Sequence, residues 1–171
     1  MPYAIIGIAK SWTHRRKDIP IMMISTKGRY ALMVMIDIAT HQEDGYISLS
    51  EVAERQRLSM KYLEAVVAML NKGGFLKSLR GKNGGYRLVK SPSEYDVGAI
   101  LKTTEGSLAP VECLKSNEME CDRAGSCKTL PLWKGLDSVI EQYLETVTLQ
   151  DLIDGKGIDG NGLESIQIEP K

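Results

Sequence analysis

Three observations predict a mainly α fold with one small β-hairpin. Apolar residues recur every three to four positions in two separate stretches, carried by Tyr30, Leu32, Met33, Met35, Ile36 and Ala39 and by Leu63, Val66, Val67 and Leu70. Two short runs rich in β-branched and aromatic residues, 75–79 and 86–89, are joined by the glycine-rich RGKNGG. A longer stripe follows through Leu132, Leu136, Val139, Ile140, Tyr143 and Val147. With 171 residues, 43% hydrophobic and 26% charged, the chain can bury one core and carry an appendage. Its longest apolar runs, such as 4–9, fall far below the roughly 18 residues of a membrane span, so no membrane helix is expected.

Residues 1–22 have no clear period and include Pro20, which predicts a poorly ordered extension, with Met22 or Met23 as a candidate native start. Residues 23–104 then read as one domain. Its first helix is entered through Ser25 or Thr26 as cap and is broken by Asp44-Gly45. Ser48 with Glu51 three residues later forms a capping box that starts a short second helix, to about Arg57. Ser59 caps a third, MKYLEAVVAMLNK, which Gly73-Gly74 ends because glycine takes a left-handed cap at little cost. Two helices across a short turn, the second exposing Ser59, Lys61 and Glu64, fit a helix-turn-helix. The hairpin after them reads as its wing, whose tip sets Arg80 and Lys82 among Gly81, Gly84 and Gly85. A cation there can enter a minor groove while the glycine backbone approaches phosphate.

Residues 105–130 form a polar loop holding all three cysteines of the chain, Cys113, Cys121 and Cys127, in CLKSNEMECDRAGSC. Thiolates are soft ligands suited to an iron-sulfur cluster or zinc, and the polar neighbours Lys115, Ser116, Asn117, Glu118, Glu120, Asp122 and Arg123 argue against buried structural cysteines. An odd cysteine count without a staple-like spacing predicts a reducing, cytoplasmic setting. Residues 131–154 hold a long helix with Pro131 in its first turn and a short one capped by Thr148. The long helix carries more apolar surface than a small domain uses, so it is read as a dimerisation helix. The glycine-rich 155–171 reads as a flexible tail.

The net charge of 0 divides unevenly: +3 over residues 1–22, +5 over 23–90 and −8 over 91–171. A basic amino-terminal half is what DNA phosphate contacts require. Charge counting alone is equally compatible with solvated faces.

STKGRYAL (25–32), LSEVAERQRLSMKYLEAVVAMLNKGGFLKSLRGKNGGYRL (49–88), VGAIL (97–101) and a three-cysteine loop followed by Trp133 together resemble the IscR-like family of bacterial winged-helix regulators. The resemblance covers roughly residues 23–153 and implies a homodimer on a partly palindromic double-stranded DNA operator. In many members it implies an iron-sulfur cluster whose state changes DNA affinity, here with 2Fe-2S favoured over 4Fe-4S. It assigns Lys27, Arg29 and Tyr30 to the DNA backbone, Ser59, Tyr62 and Glu64 to the recognition helix, and Arg80 to the wing tip. Glu64 can accept from a cytosine amino group or simply face solvent, and the sequence leaves both open. Cys113, Cys121 and Cys127 are the implied cluster ligands.

The fourth ligand is not matched. One branch of the family places a histidine where Leu130 stands, and another draws an aspartate from the first helix, which has no counterpart at the matching position. Glu118, Glu120, Asp122, a group from a partner subunit or an external thiol remain as candidates. A cluster-free regulator of the same fold, controlled by a partner enzyme or by thiol oxidation, is therefore the second reading. An iron-sulfur carrier or small redox enzyme is the third. Nothing in the sequence resembles a nucleotide loop or an acid-base pair, so a regulator and not an enzyme is expected.

Overall fold

The computed structural model describes residues 24–42, 45–115 and 121–156. The amino-terminal extension, Asp44, the carboxylates Glu118 and Glu120, and the tail from residue 157 lie outside them. Six α-helices and one hairpin follow in the order α1 (Thr26–His41), α2 (Leu49–Gln56), α3 (Met60–Lys72), β1 (Leu76–Leu79), β2 (Gly85–Leu88), α4 (Val97–Glu105), α5 (Leu130–Thr146) and α6 (Leu149–Asp154).

The helix starts follow the sequence chemistry. The Ser25 side chain accepts from the Lys27 amide, and Ser48 and Glu51 cap each other's backbone in a complete capping box. Ser59 occupies the N-cap of α3 without a side-chain cap bond. Ser91 and Glu94 form another full box in the turn before α4, and Thr148 and Asp151 a further one at α6, where the expected cap is Thr148 alone. The turn between α2 and α3 bends at Arg57, which adopts the left-handed conformation at φ 52°, ψ 41°. It lets the Leu58 amide bond back to the Ala53 carbonyl at 3.1 Å and close α2.

The core forms around α1, which touches α2, α3, α4, α6 and β2. Ala31, Val34, Met35 and Ile38 are wholly buried there, against Val52, Leu63, Val66, Val67, Leu70, Leu76, Leu88, Ile100 and Leu149. The α3 face therefore matches its periodicity. The α1 face is rotated from it: of the positions the periodicity selects, only Met35 is fully buried, while Tyr30, Leu32, Ile36 and Ala39 flank the core. A helix packed on several sides is apolar almost all round, so its period does not fix the phase.

The hairpin pairs antiparallel with Leu76 opposite Leu88 and Leu79 opposite Gly85. A third segment joins it, because Ile47 and Tyr86 exchange backbone bonds of 2.9 and 2.8 Å. Gly85 permits this, since a Cβ there would collide with the Ile47 carbonyl. At the wing base the buried Tyr95 hydroxyl accepts from the Val89 and Lys90 amides at 3.0 and 2.6 Å and donates to the Phe75 carbonyl at 3.1 Å.

A second, smaller cluster joins Val97, Leu101, Leu108 and Val147, with Ile140, Tyr143 and Leu144 of α5 packed beside it. The amides of Val97 and Leu149 bond to Val147 and Tyr95 carbonyls, each at 2.9 Å, so α6 returns to the main core. Lys102 of α4 reaches Glu141 and Glu145 of α5 at 2.9 and 3.5 Å. Among the described residues no helix is long and apolar enough to cross a membrane.

Candidate nucleic-acid interface and cysteine loop

Burying Leu63, Val66, Val67 and Leu70 turns the other face of α3 outward, so Ser59, Lys61, Tyr62 and Glu64 are all exposed, as is Met60. Tyr62 is 59% exposed and meets Tyr30 edge to face, ring centroids 6.2 Å apart. That contact sets the first turns of α1 beside the first turn of α3. Lys27 and Arg29 are exposed on the same turns of α1. The fold thus brings Lys27, Arg29 and Tyr30 next to Lys61 and Tyr62, two groups more than thirty residues apart in sequence.

At the wing tip Arg80 and Lys82 are exposed. Among the described residues, no carboxylate lies within ion-pair distance of Lys27, Arg29, Lys61, Arg80 or Lys82. Five such cations are available to phosphate. Gly81 has a φ of 114°, which a side chain would strain. Gly84 packs on its own hairpin, where a Cβ would strike the Leu79 carbonyl. The hairpin itself therefore requires glycine at Gly84, and its bridge to Ile47 requires glycine at Gly85, whatever else approaches them.

The helix-turn-helix is braced from below by a buried ion pair that periodicity alone does not announce. The Asp37 carboxylate, fully buried in α1, accepts from Arg55 Nη2 at 2.6 Å and Nε at 3.1 Å, and from Gln56 Nε2 at 2.8 Å. Burial alone would raise the Asp37 pKa; the bonds from Arg55 and Gln56, with the Arg55 and His41 charges, outweigh it and hold the carboxyl below its ordinary value. This fastens the end of α2, and so the turn into α3, to α1.

The cysteine loop begins with Cys113 in a 3₁₀ turn (Glu112–Leu114) and ends with Cys127 just before α5. All three cysteines are unpaired and partly exposed. The Cys127 thiol lies 3.4 Å from Thr129 Oγ1, and bonds from that hydroxyl and from the Thr129 and Leu130 amides lower its pKa. Among the described residues no three Cys, His, Asp or Glu side chains gather at one point. Asp122 is exposed, and Leu130 at the head of α5 offers no ligand atom.

α5 has no fully buried residue. Ile140, Tyr143 and Val147 of its stripe turn onto the chain's own second cluster, whereas Leu132 and Leu136 remain 63% and 39% exposed.

Comparison with known proteins places this geometry. The family profile Rrf2, described as an iron-dependent transcriptional regulator, matches residues 24–155. The HTH-type transcriptional regulator IscR of Yersinia pseudotuberculosis is 36% identical over 137 residues, covering 80% of this chain and 82% of that protein. Among solved structures, CymR, the global cysteine regulator of B. subtilis, superposes with a TM-score of 0.63 at 36% identity, covering 78% of this chain and 98% of that one. IscR of T. potens superposes with a TM-score of 0.60 at 37% identity, over 78% of this chain and 87% of that one. The wing, the family profile and the relatives covering most of the chain agree, and the chain belongs to the Rrf2 family of winged-helix, DNA-binding transcription regulators.

Proposed function

We propose that the protein is a cytoplasmic homodimer that binds a partly palindromic operator, and that an iron-sulfur cluster held by Cys113, Cys121 and Cys127 sets its DNA affinity. The observation that carries this reading is the position of the three free thiols: each is partly exposed, and they belong to one segment that runs directly into α5, the helix on which Leu132 and Leu136 stand exposed. Three soft donors within fifteen residues, one with a lowered pKa, fit an iron-sulfur centre in chemistry. The fit is one of donor type, since no ligand cage is preformed among the described residues. A bound cluster would supply a redox-sensitive anchor for the loop, 2Fe-2S more readily than 4Fe-4S. Ordering the loop ahead of α5 would shift the dimer between geometries that differ in DNA affinity, for which about 1 to 3 kcal/mol of coupling suffices.

On DNA, Tyr62, Ser59 and Glu64 read the major groove, Lys27, Arg29, Tyr30 and Lys61 meet the backbone, and the wing carries Arg80 and Lys82 to the minor groove with Gly84 and Gly85 beneath them. The two half-sites would lie about one helical turn apart.

A second reading is favoured by Leu130, which leaves the ligand set one short, and by the likeness to CymR. In it the chain is a cluster-free regulator controlled by a partner enzyme or by oxidation of its thiols. Purification without oxygen, with a visible spectrum and iron and acid-labile sulfide assays, separates the two. Matched iron and sulfide, with bands lost in Cys113→Ala, Cys121→Ala or Cys127→Ala while folding persists, supports the cluster. A colourless protein that binds DNA and cannot be loaded supports the second reading.

A further inference from the structure

We infer that Glu105 is a positioning residue for DNA binding: from the end of α4 it holds the amino end of α1, and with it Lys27 and Arg29, in the pose that meets phosphate. The inference rests on the reading of Lys27 and Arg29 as backbone contacts. The first amides of a helix have no partner inside it. The Ser25 side chain satisfies one of them, Lys27 N, at 3.1 Å. A single oxygen, Glu105 Oε1, accepts from Ser25 N at 3.0 Å, Ser25 Oγ at 2.8 Å and Gly28 N at 3.0 Å. Its negative charge also sits at the positive end of the helix dipole.

These bonds span 77 to 80 residues of chain, so α4 fixes the pose of the first turn together with the local Ser25 cap. Gly28 makes the approach possible: a Cβ would collide with Glu105 Oε1 and would lie 3.0 Å from Ile24 Cγ2 and 3.1 Å from Leu101 Cδ2. Lys27 and Arg29 flank this buried glycine and are themselves exposed. The wholly buried apolar residues of α1 begin only at Ala31, beyond the clamped turn, so loosening that turn leaves the main core in place.

The test is the salt dependence of binding by the full chain to a random-sequence duplex of about 30 base pairs, followed by fluorescence anisotropy. The slope of log affinity against log salt counts phosphate contacts at about 0.9 each. Lys27→Ala/Arg29→Ala should flatten the slope by roughly 2 per protomer. Glu105→Ala should approach the same slope, and adding it to that double variant should change nothing further, because both act through the same contacts. Gly28→Ala, which displaces the carboxylate without removing it, should also flatten the slope, while Glu105→Gln, which keeps the acceptor oxygen, should retain most of it. A loss of folded protein would instead lower the binding amplitude at an unchanged slope. A wild-type slope in Glu105→Ala and Gly28→Ala, beside a flattened one in the double variant, overturns the positioning role and leaves the contacts standing. Should Glu105→Ala not fold by circular dichroism, Gly28→Ala and Glu105→Gln decide the matter alone. An unchanged slope in the double variant overturns the contact reading, and the positioning role with it.

Discussion

Asp37 sits between Ile36 and Ile38 in a helix otherwise apolar on that side, and its carboxylate is fully buried. Replacing it with Asn removes the charge that Arg55 and Gln56 were folded to meet. Arg55 keeps some solvent contact, so a cost of about 2–3 kcal/mol is expected for Asp37→Asn, read from the urea midpoint at constant slope. Because the folded pKa lies below the unfolded one, the stabilisation is complete above the ordinary aspartate value of about 4 and is lost as pH falls from there through the folded value. Asp37→Asn should therefore flatten that part of the stability profile in acid. Arg57 presents the opposite case, a side chain in the left-handed region at φ 52°. Arg57→Gly should stabilise the fold by about 0.5–1 kcal/mol by relieving that strain, measured in the same titration. An aspartate interrupting an apolar stripe is a signal that sequence carries. Its partners, 18 and 19 residues away, become evident only once α1 and α2 cross.

The wing is the element whose placement depends most on a single side chain. Tyr95 ties the start of β1 to the end of β2 through three backbone bonds, two of them accepted from amides. Because the Val89 amide also donates to the Phe75 carbonyl at 3.2 Å, Tyr95→Phe leaves the Lys90 amide as the group without a partner and should cost about 1–3 kcal/mol, with faster amide exchange at Lys90 as the readout. Arg80→Ala, at the exposed tip, should leave stability unchanged and weaken operator binding together with its preference for a narrow minor groove; unchanged binding would remove Arg80 from the interface. The caps at Ser25, Ser48 and Thr148, the glycines at the hairpin and the buried face of α3 are all legible as local patterns. The phase of α1 is not, because a helix surrounded by α2, α3, α4, α6 and β2 has no single polar face for periodicity to reveal. The Ile47–Tyr86 bridge is equally hidden, since a one-residue bridge has no strand period.

For the whole molecule, the exposed Leu132 and Leu136 predict the assembly state. Burying each against a second protomer is worth about 1–2 kcal/mol, so Leu132→Asp/Leu136→Asp should shift the mass seen by light scattering from dimer to monomer. The five cations assigned to the proposed interface, Lys27, Arg29, Lys61, Arg80 and Lys82, set the salt dependence that this interface can supply. If all engage, the slope for a dimer is roughly −9 and for the monomeric variant about half that. Equal slopes for the two would separate α5 from the DNA-binding geometry.

Residue order alone determines the starts of α1, α2, α3 and α6, the wing, the separation of a basic half from an acidic one, and the confinement of every cysteine to one loop. Each of these is a local property, written in spacing, capping chemistry or composition. Packing decides the rest: the rotation of α1, the Asp37–Arg55 brace, the Glu105 clamp on Ser25 and Gly28, and the division of the α5 stripe into a half that packs at home and a half that stays exposed. Those features join residues between 18 and 80 positions apart, or depend on which neighbour covers a face first, and no local period encodes either.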